Sequence, residues 1–301
     1  VKIAKEFFPK EFEGFKRSLS GGRRPDAVSF TDIEGDVKRR DLTINALFYD
    51  IDTHEVVDLV GGVNDLKNGI VRTVGKAEDR FGEDRLRILR AIRFAGRFGN
   101  ELDPETDMAL QKDSNLEGIS GERIRDEFIK GLVSTKSTKH LLSMINKYDL
   151  FKWIFGGLKV DKTVLRTLPS DYHYEDYIVV IARLLKNNSI SDLKKVLNDL
   201  KYSSDEIKAI TFLVSMLSLD VDTAFLLKKA QQTSGVNNEQ IRIFCGDEGV
   251  PSQLIDAFEE YNLSISGPEA IEITGLKPGP ELGKAIKDLE TKNFEKILSL
   301  K

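Results

Sequence analysis

Apolar residues along the chain fall into two regimes. Before about Thr73 the pattern is mixed: Leu47-Phe48-Tyr49 and Val56-Val57 flank the turn-forming Asp52-Thr53-His54, which predicts a β-hairpin. The Gly61-Gly62 turn follows, and Ile70-Val71-Arg72-Thr73-Val74 reads as a short strand. From Glu83 onward strand signals nearly vanish. Leu86, Leu89 and Ile92 recur at helical spacing, predicting a helix to about Phe98 that stops at Gly99-Asn100. The same periodicity predicts helices near 103–113, 120–133, 137–148, 174–187, 189–201 and 203–217, then near 221–232, 237–247, 251–262, 279–290 and 292–299. Breaks are expected at Gly156-Gly157 and Ser218-Leu219-Asp220. The expected class is α+β, a small mixed piece followed by a long all-helical array.

Composition narrows the classes of function. Charged residues make up 31% of the 301 and hydrophobic ones 40%, enough apolar material to bury a core. The best apolar run, Tyr177 to Ala182, meets Arg183 at once, so no membrane span is expected. One cysteine, Cys245, excludes an internal disulfide framework and a multi-cysteine zinc site, and fits a reducing cytoplasm. His54, His140 and His173 are too scattered for a His-rich metal site. The net charge of −4 hides an asymmetry: residues 1–100 hold 19 Lys and Arg against 17 Asp and Glu, the remainder 26 against 32. Six arginines crowd the 18 residues from Arg80 to Arg97, and such a cluster suits phosphate recognition whatever the overall charge.

Two clusters carry candidate chemistry. In Asp36-Val37-Lys38-Arg39-Arg40-Asp41-Leu42-Thr43-Ile44-Asn45-Ala46, paired arginines can grip phosphate oxygens, while Asp41 can accept from a ribose hydroxyl. The plainer reading is a charged helix end before a strand. In Glu83-Asp84-Arg85-Leu86-Arg87-Ile88-Leu89-Arg90-Ala91-Ile92-Arg93-Phe94, residues Asp84, Arg87, Arg90 and Arg93 stand three apart. On one helix, Asp84 and Arg87 would lie side by side, with Arg90 and Arg93 winding away along the flank. A carboxylate acceptor beside a guanidinium donor can pair with the hydrogen-bonding edge of a base. The plainer reading is a solvated ion pair worth tenths of a kcal/mol. Apolar neighbours weigh against it, because arginines among buried residues need anionic partners.

Residues 39–46 of the first cluster, the second cluster extended to run from Arg80-Phe81-Gly82 through Ala95, and Gly61-Gly62-Val63-Asn64-Asp65-Leu66-Lys67-Asn68-Gly69-Ile70-Val71-Arg72-Thr73-Val74-Gly75 resemble the tRNA nucleotidyltransferase/poly(A) polymerase family. Within it they are most similar to class II, bacterial-type CCA-adding enzymes. Arg23-Arg24-Pro25-Asp26 and the segment from Gly275 to Gly283 extend the likeness over almost the whole chain. The resemblance implies a polymerase-β-type nucleotidyltransferase head (1–75), a nucleotide-selecting helical neck (76–150), a helical body (151–219) and a tRNA-binding helical tail (220–301). It implies that Arg40 contacts the nucleotide, that Asp41 lies near its ribose, and that Asp84 and Arg87 read the base in place of a template strand. Arg90 and Arg93 match further nucleotide-contacting arginines. Arg39, Asn45 and Glu83 complete the motifs, Asn45 as a brace of its loop. The implied substrates are CTP and ATP, the partner is the acceptor end and elbow of tRNA, and Mg²⁺ is the implied cofactor.

One departure stands out. The family's Gly-Gly phosphate loop and metal-binding D-x-D pair belong upstream of these motifs and are not found there. Asp50-Ile51-Asp52 matches by spelling but follows the twin arginines, and Gly21-Gly22-Arg23-Arg24 is a superficial match. Glu11 or Glu13 remains as a further carboxylate. An upstream piece, or a segment between Glu11 and Arg23, is therefore expected to be missing. The leading expectation is template-independent addition or repair of the tRNA 3′-CCA end. The alternatives are a poly(A) polymerase, a partial (CC- or A-) adding enzyme, or a catalytically silent tRNA- or nucleotide-binding protein.

Overall fold

The computed structural model describes residues 33–170, 173 and 176–301. Glu11, Glu13, Gly21-Gly22 and Arg23-Arg24-Pro25-Asp26 lie outside the described residues. The chain divides into two compact units, 1–115 and 116–301.

In the first unit, helix α1 (Ile33–Lys38) leads through a 3-10 turn (Thr43–Asn45) into the hairpin β1 (Phe48–Asp50) and β2 (Glu55–Val57). The strands are antiparallel with Tyr49 opposite Val56, as the sequence pattern predicts. Asp50 closes the turn, its Oδ1 accepting the Asp52 and Thr53 N–H groups at 2.9 and 3.3 Å. Helix α2 (Gly62–Asn68) follows. Asp58 caps it, accepting the Gly62 and Val63 N–H groups at 3.0 and 2.9 Å. Burial pushes the Asp58 carboxyl up, but the Val63, Val60 and Gly62 donors prevail and hold it below the usual carboxylate range. Gly62 itself is obligatory, because a Cβ there would sit 2.2 Å from the Thr43 carbonyl oxygen. Val37, Ala46 and Val74 form a small core with Phe48 and Val60 packed against it.

Strand β3 (Ile70–Val71), helix α3 (Ala77–Glu83) and helix α4 (Leu86–Phe98) come next. Ile88, Leu89, Ala91, Ile92 and Ala95 line the buried face of α4, and Gly99 ends it in the left-handed conformation with φ 68°. Strand signals nearly vanish in the sequence after Glu83, yet β4 (Glu101–Leu102) pairs in parallel with β3 before helix α5 (Pro104–Lys112). Two residues are too few to show a period of two. An antiparallel bridge between Leu42 and Thr73 ties the twin-arginine turn to the end of β3.

Among its described residues the second unit has helices and no strand: α6 (Gly121–Ser134), α7 (Thr138–Lys147), α8 (Phe151–Ile154), α9 (Val164–Thr167), α10 (Tyr177–Leu185), α11 (Ile190–Asp199), α12 (Ser204–Ser215), a 3-10 turn (Met216–Ser218), α13 (Ala224–Ser234), α14 (Asn238–Asp247), α15 (Ser252–Glu260), α16 (Gly267–Thr274) and α17 (Pro280–Leu298). Phe151 and Phe155 are buried and stack at 6.1 Å, with Phe128 edge-on to Phe155 at 5.4 Å. The two helices expected at 279–290 and 292–299 are one helix. Glu290, near the expected gap, is fully buried and accepts from the Tyr261 hydroxyl at 3.0 Å and from the Ser264 and Ile265 N–H groups at 2.8 and 2.7 Å. A satisfied inward carboxylate does not interrupt a helix. Among the described residues no helix is long and apolar enough to cross a membrane.

Candidate nucleotide site

The first cluster is organised by its first residue, to which the sequence reading gave no role of its own. Asp36, buried near the end of α1, accepts from both Arg39 and Arg40. Arg40 grips one oxygen with Nε at 3.1 Å and Nη2 at 2.9 Å, and Arg39 Nε reaches the other at 2.6 Å. Burial works to raise the Asp36 carboxyl, but the hydrogen bonds from Arg40 and Arg39 win and lower it. Its signal was present: Asp36 stands three and four residues before the arginines, the spacing of neighbours on a helix face. Arg40 also donates Nη1 to the Asn45 carbonyl at 2.6 Å and lies over the Phe48 ring at 4.6 Å. Of the five N–H groups of a guanidinium, three of Arg40's are thus engaged, and two point elsewhere from a side chain 36% exposed.

Asp41 is buried, and its two oxygens have different tasks. Oδ1 accepts the Leu42 N–H at 2.9 Å and the Asn45 amide at 3.4 Å, bracing the turn. Oδ2 accepts Arg90 Nε at 2.6 Å, across 49 residues of sequence. Burial pushes this carboxyl up, but the hydrogen bond and charge of Arg90, with the Leu42 and Asn45 donors, outweigh it and hold it below the usual carboxylate range.

The second cluster needs a correction. Asp84 is not on the same helix as Arg87. It sits in extended conformation between α3 and α4, with φ −151° and ψ 107°. Its Oδ1 accepts the Leu86 N–H at 3.0 Å and its carbonyl the Arg87 N–H at 3.0 Å, so Asp84 caps the start of α4. The periodic argument had carried one helix through this joint. Arg87 pairs instead with Glu83, Nη1 to Oε2 at 2.6 Å. Its Nη2 donates to the Arg39 carbonyl at 2.9 Å. Arg90, Arg93 and Phe94 follow, the Arg93 guanidinium over the Phe94 ring at 4.4 Å and that of Arg90 at 5.8 Å.

The two clusters therefore meet. Arg87 touches the backbone of Arg39, and Arg90 pairs with Asp41. Thr43, Asp65 and Arg72 brace the same turn from behind: Thr43 Oγ1 donates to Asp65 Oδ2 at 2.7 Å, and Arg72 pairs with Asp65 and Asp103 at 3.1 and 2.6 Å. What results is a surface of partly exposed guanidinium groups beside fixed carboxylates, suited to an anionic ligand that also offers hydrogen-bonding edges. Among the described residues no three of His, Cys, Asp and Glu are grouped to hold a metal ion. Asp50 and Asp52 are turn residues, so the described residues do not fit a Mg²⁺ site.

The Poly A polymerase head domain family matches residues 13–72, and the family described as probable RNA and SrmB-binding site of polymerase A matches 100–161. In fold, the chain is similar to the Bacillus stearothermophilus CCA-adding enzyme in complex with CTP, with TM-score 0.66 and 22% identity over 90% of this chain and 72% of that one. It is likewise similar to the Thermotoga maritima CCA-adding enzyme complexed with tRNA-CCA, with TM-score 0.63 and 24% identity over 99% of this chain and 82% of that one. The CCA-adding enzyme of Lactococcus lactis subsp. cremoris (strain MG1363) is 33% identical over 286 residues, spanning 90% of this chain and 69% of that protein. With a third of the residues shared across nine-tenths of its length, the chain belongs to the family of CCA-adding enzymes.

Proposed function

We propose that the protein is a nucleotidyltransferase that adds or repairs the 3′-CCA end of tRNA from CTP and ATP, in the cytoplasm, with its own side chains selecting the base. The observation that carries this reading is the junction of the two clusters, Arg87 Nη2 on the Arg39 carbonyl at 2.9 Å and Arg90 Nε on Asp41 at 2.6 Å. It puts the phosphate- and sugar-binding candidates beside the base-reading ones. Arg40 holds the nucleotide's phosphates, Asp41 lies by the ribose, and Asp84 and Arg87 offer an acceptor and a donor to the base edge. Arg90 and Arg93 supply further positive charge, while Arg39, Asn45 and Glu83 hold the others in place. A base that cannot satisfy both Asp84 and Arg87 leaves one of them unpaired, which is the source of discrimination. Residues 1–75 act as head, 76–150 as neck, 151–219 as body and 220–301 as tail, the tail holding the tRNA elbow. Magnesium supplies charge neutralisation at the triphosphate in enzymes of this chemistry, and its ligands are not among the described residues.

Incubating the protein with tRNA lacking its 3′ end, and with CTP and ATP singly and together, tests the proposal. Completion of CCA only when both are present is expected. Long tails from ATP alone would instead make it a poly(A) polymerase, and tRNA binding without incorporation would make it a silent binder.

A further inference from the structure

Arg80 belongs to none of the motif roles above, yet it is tied into the base-reading joint. Its side chain is largely covered, at 18% exposure. Nη1 donates to the Lys38 carbonyl at 2.6 Å, at the C-terminal end of α1, and Nη2 pairs with Glu83 Oε1 at 2.5 Å. Glu83 uses its second oxygen for Arg87, whose Nη1 also reaches the Arg80 carbonyl at 3.3 Å and whose Nη2 reaches the Arg39 carbonyl. One carboxylate thus bridges two guanidinium groups, and each of those also donates to one of two consecutive carbonyls, Lys38 and Arg39. Carbonyls at a helix C-terminus lack intrahelical donors and attract cations. The Arg80 Nε is buried without a hydrogen-bond partner. A group left unsatisfied in this way marks a side chain whose direction is dictated by its other contacts.

The consequence falls on Arg87. Nη1 makes two hydrogen bonds and Nη2 one, whereas on the Nε edge of the guanidinium the Nε–H carries no hydrogen bond among the described residues. We propose that Arg80 is a positioning residue for base selection: by fixing Glu83 it fixes the rotation of the Arg87 guanidinium, so that this one edge faces the incoming base. The role assigned to that edge rests on the functional reading above; the clamp itself does not. Without Arg80, Glu83 loses one of its two anchors, and Arg87 can turn to satisfy the wrong base.

The test uses the whole protein with Arg80→Met, which keeps the aliphatic stem, alongside Glu83→Gln and the double variant. In the wild type, NMR of the arginine guanidinium groups should show slow rotation about the Arg87 Nε–Cζ bond, and Arg80→Met should speed it. Incorporation into tRNA lacking its 3′ end should lose about tenfold in discrimination between correct and incorrect bases. The double variant should lose no more than Glu83→Gln alone, because Arg80 acts through Glu83. A merely structural role would lower the unfolding midpoint and weaken every nucleotide alike. Unchanged Arg87 rotation in Arg80→Met would overturn the proposal whatever the activity. Faster rotation in a protein that incorporates nothing would keep the clamp and sink the functional reading. Faster rotation with unchanged discrimination would overturn the selection role alone.

Discussion

Arg183 of the second unit and Arg87 of the first are both helix-borne arginines paired with glutamate, and they differ in what is left over. The Arg183 side chain is 3% exposed; Nε meets Glu248 at 2.9 Å, Nη1 meets Asp247 at 2.8 Å and Nη2 meets Thr167 at 3.1 Å. Lys186 joins the same network through Glu248 and Asp161. All three Arg183 nitrogens are engaged, and the group cements helices α9, α10 and α14. The Arg87 side chain is 17% exposed and leaves an edge unused. Ion-pair chemistry builds a core where donors are saturated and water is excluded. It builds a site where some donors are held in place and kept open.

That contrast can be broken at several points. Arg183→Met should be the most damaging change. It strands Glu248 and Asp247 and should cost about 3–5 kcal/mol in urea unfolding, with CTP and ATP affinities unaltered once the protein is folded. Gly62→Ala should come next, since its Cβ would press on the Thr43 carbonyl at 2.2 Å; a loss of about 1–3 kcal/mol is expected from thermal unfolding. Asp84→Ala removes the cap on the Leu86 N–H and should cost about 1 kcal/mol of stability. Unlike the first two, it should also disturb the choice between CTP and ATP in primer-extension assays.

Acid should act on both regions in the same direction. Burial pushes the Asp161 carboxyl up, but the Thr163 hydroxyl, Lys186 and the Thr163 N–H prevail and bring it down to about 2 from an ordinary 3.8. A carboxylate lowered in the folded state stabilises above its unfolded value, and that stabilisation is lost as pH falls through the folded one. Stability should therefore decline between about 4 and 2, with Asp161→Asn flattening that part of the curve. The smallest effect is expected at Glu78, whose pair with Lys112 at 2.8 Å is exposed on both sides. Glu78→Gln should leave the unfolding midpoint unmoved.

Much of this architecture could be read from the chain. The hairpin around Asp52-Thr53-His54, α4 up to Gly99 and most later helices follow from periodicity and stop signals. Short elements did not show: α1, α2, α3, α8, α9 and α16 are too brief for a period to accumulate, and β4 has two residues. In the site, Arg40, Asp41, Arg87 and Arg90 were singled out by their clusters and by the family resemblance, and the structure brings them together. Asp84 was picked out too, but with the wrong local geometry: its type suits a cap, and that signal was overridden by the three-residue spacing. The three-residue spacing of Arg80 and Glu83 is a local signal, but the contact of Arg80 with Lys38 spans 42 residues and could not be read from the chain.

The central claim is that phosphate and base are held by different residues of one site, Arg40 for the first and Arg87 for the second. Equilibrium binding of CTP and of ATP to the whole protein, as wild type, Arg40→Ala and Arg87→Ala, tests it most directly. Arg40→Ala should weaken both nucleotides by the same factor, and Arg87→Ala should change the ratio between them. An Arg87→Ala protein with the wild-type ratio, or an Arg40→Ala protein that loses only one nucleotide, would contradict it.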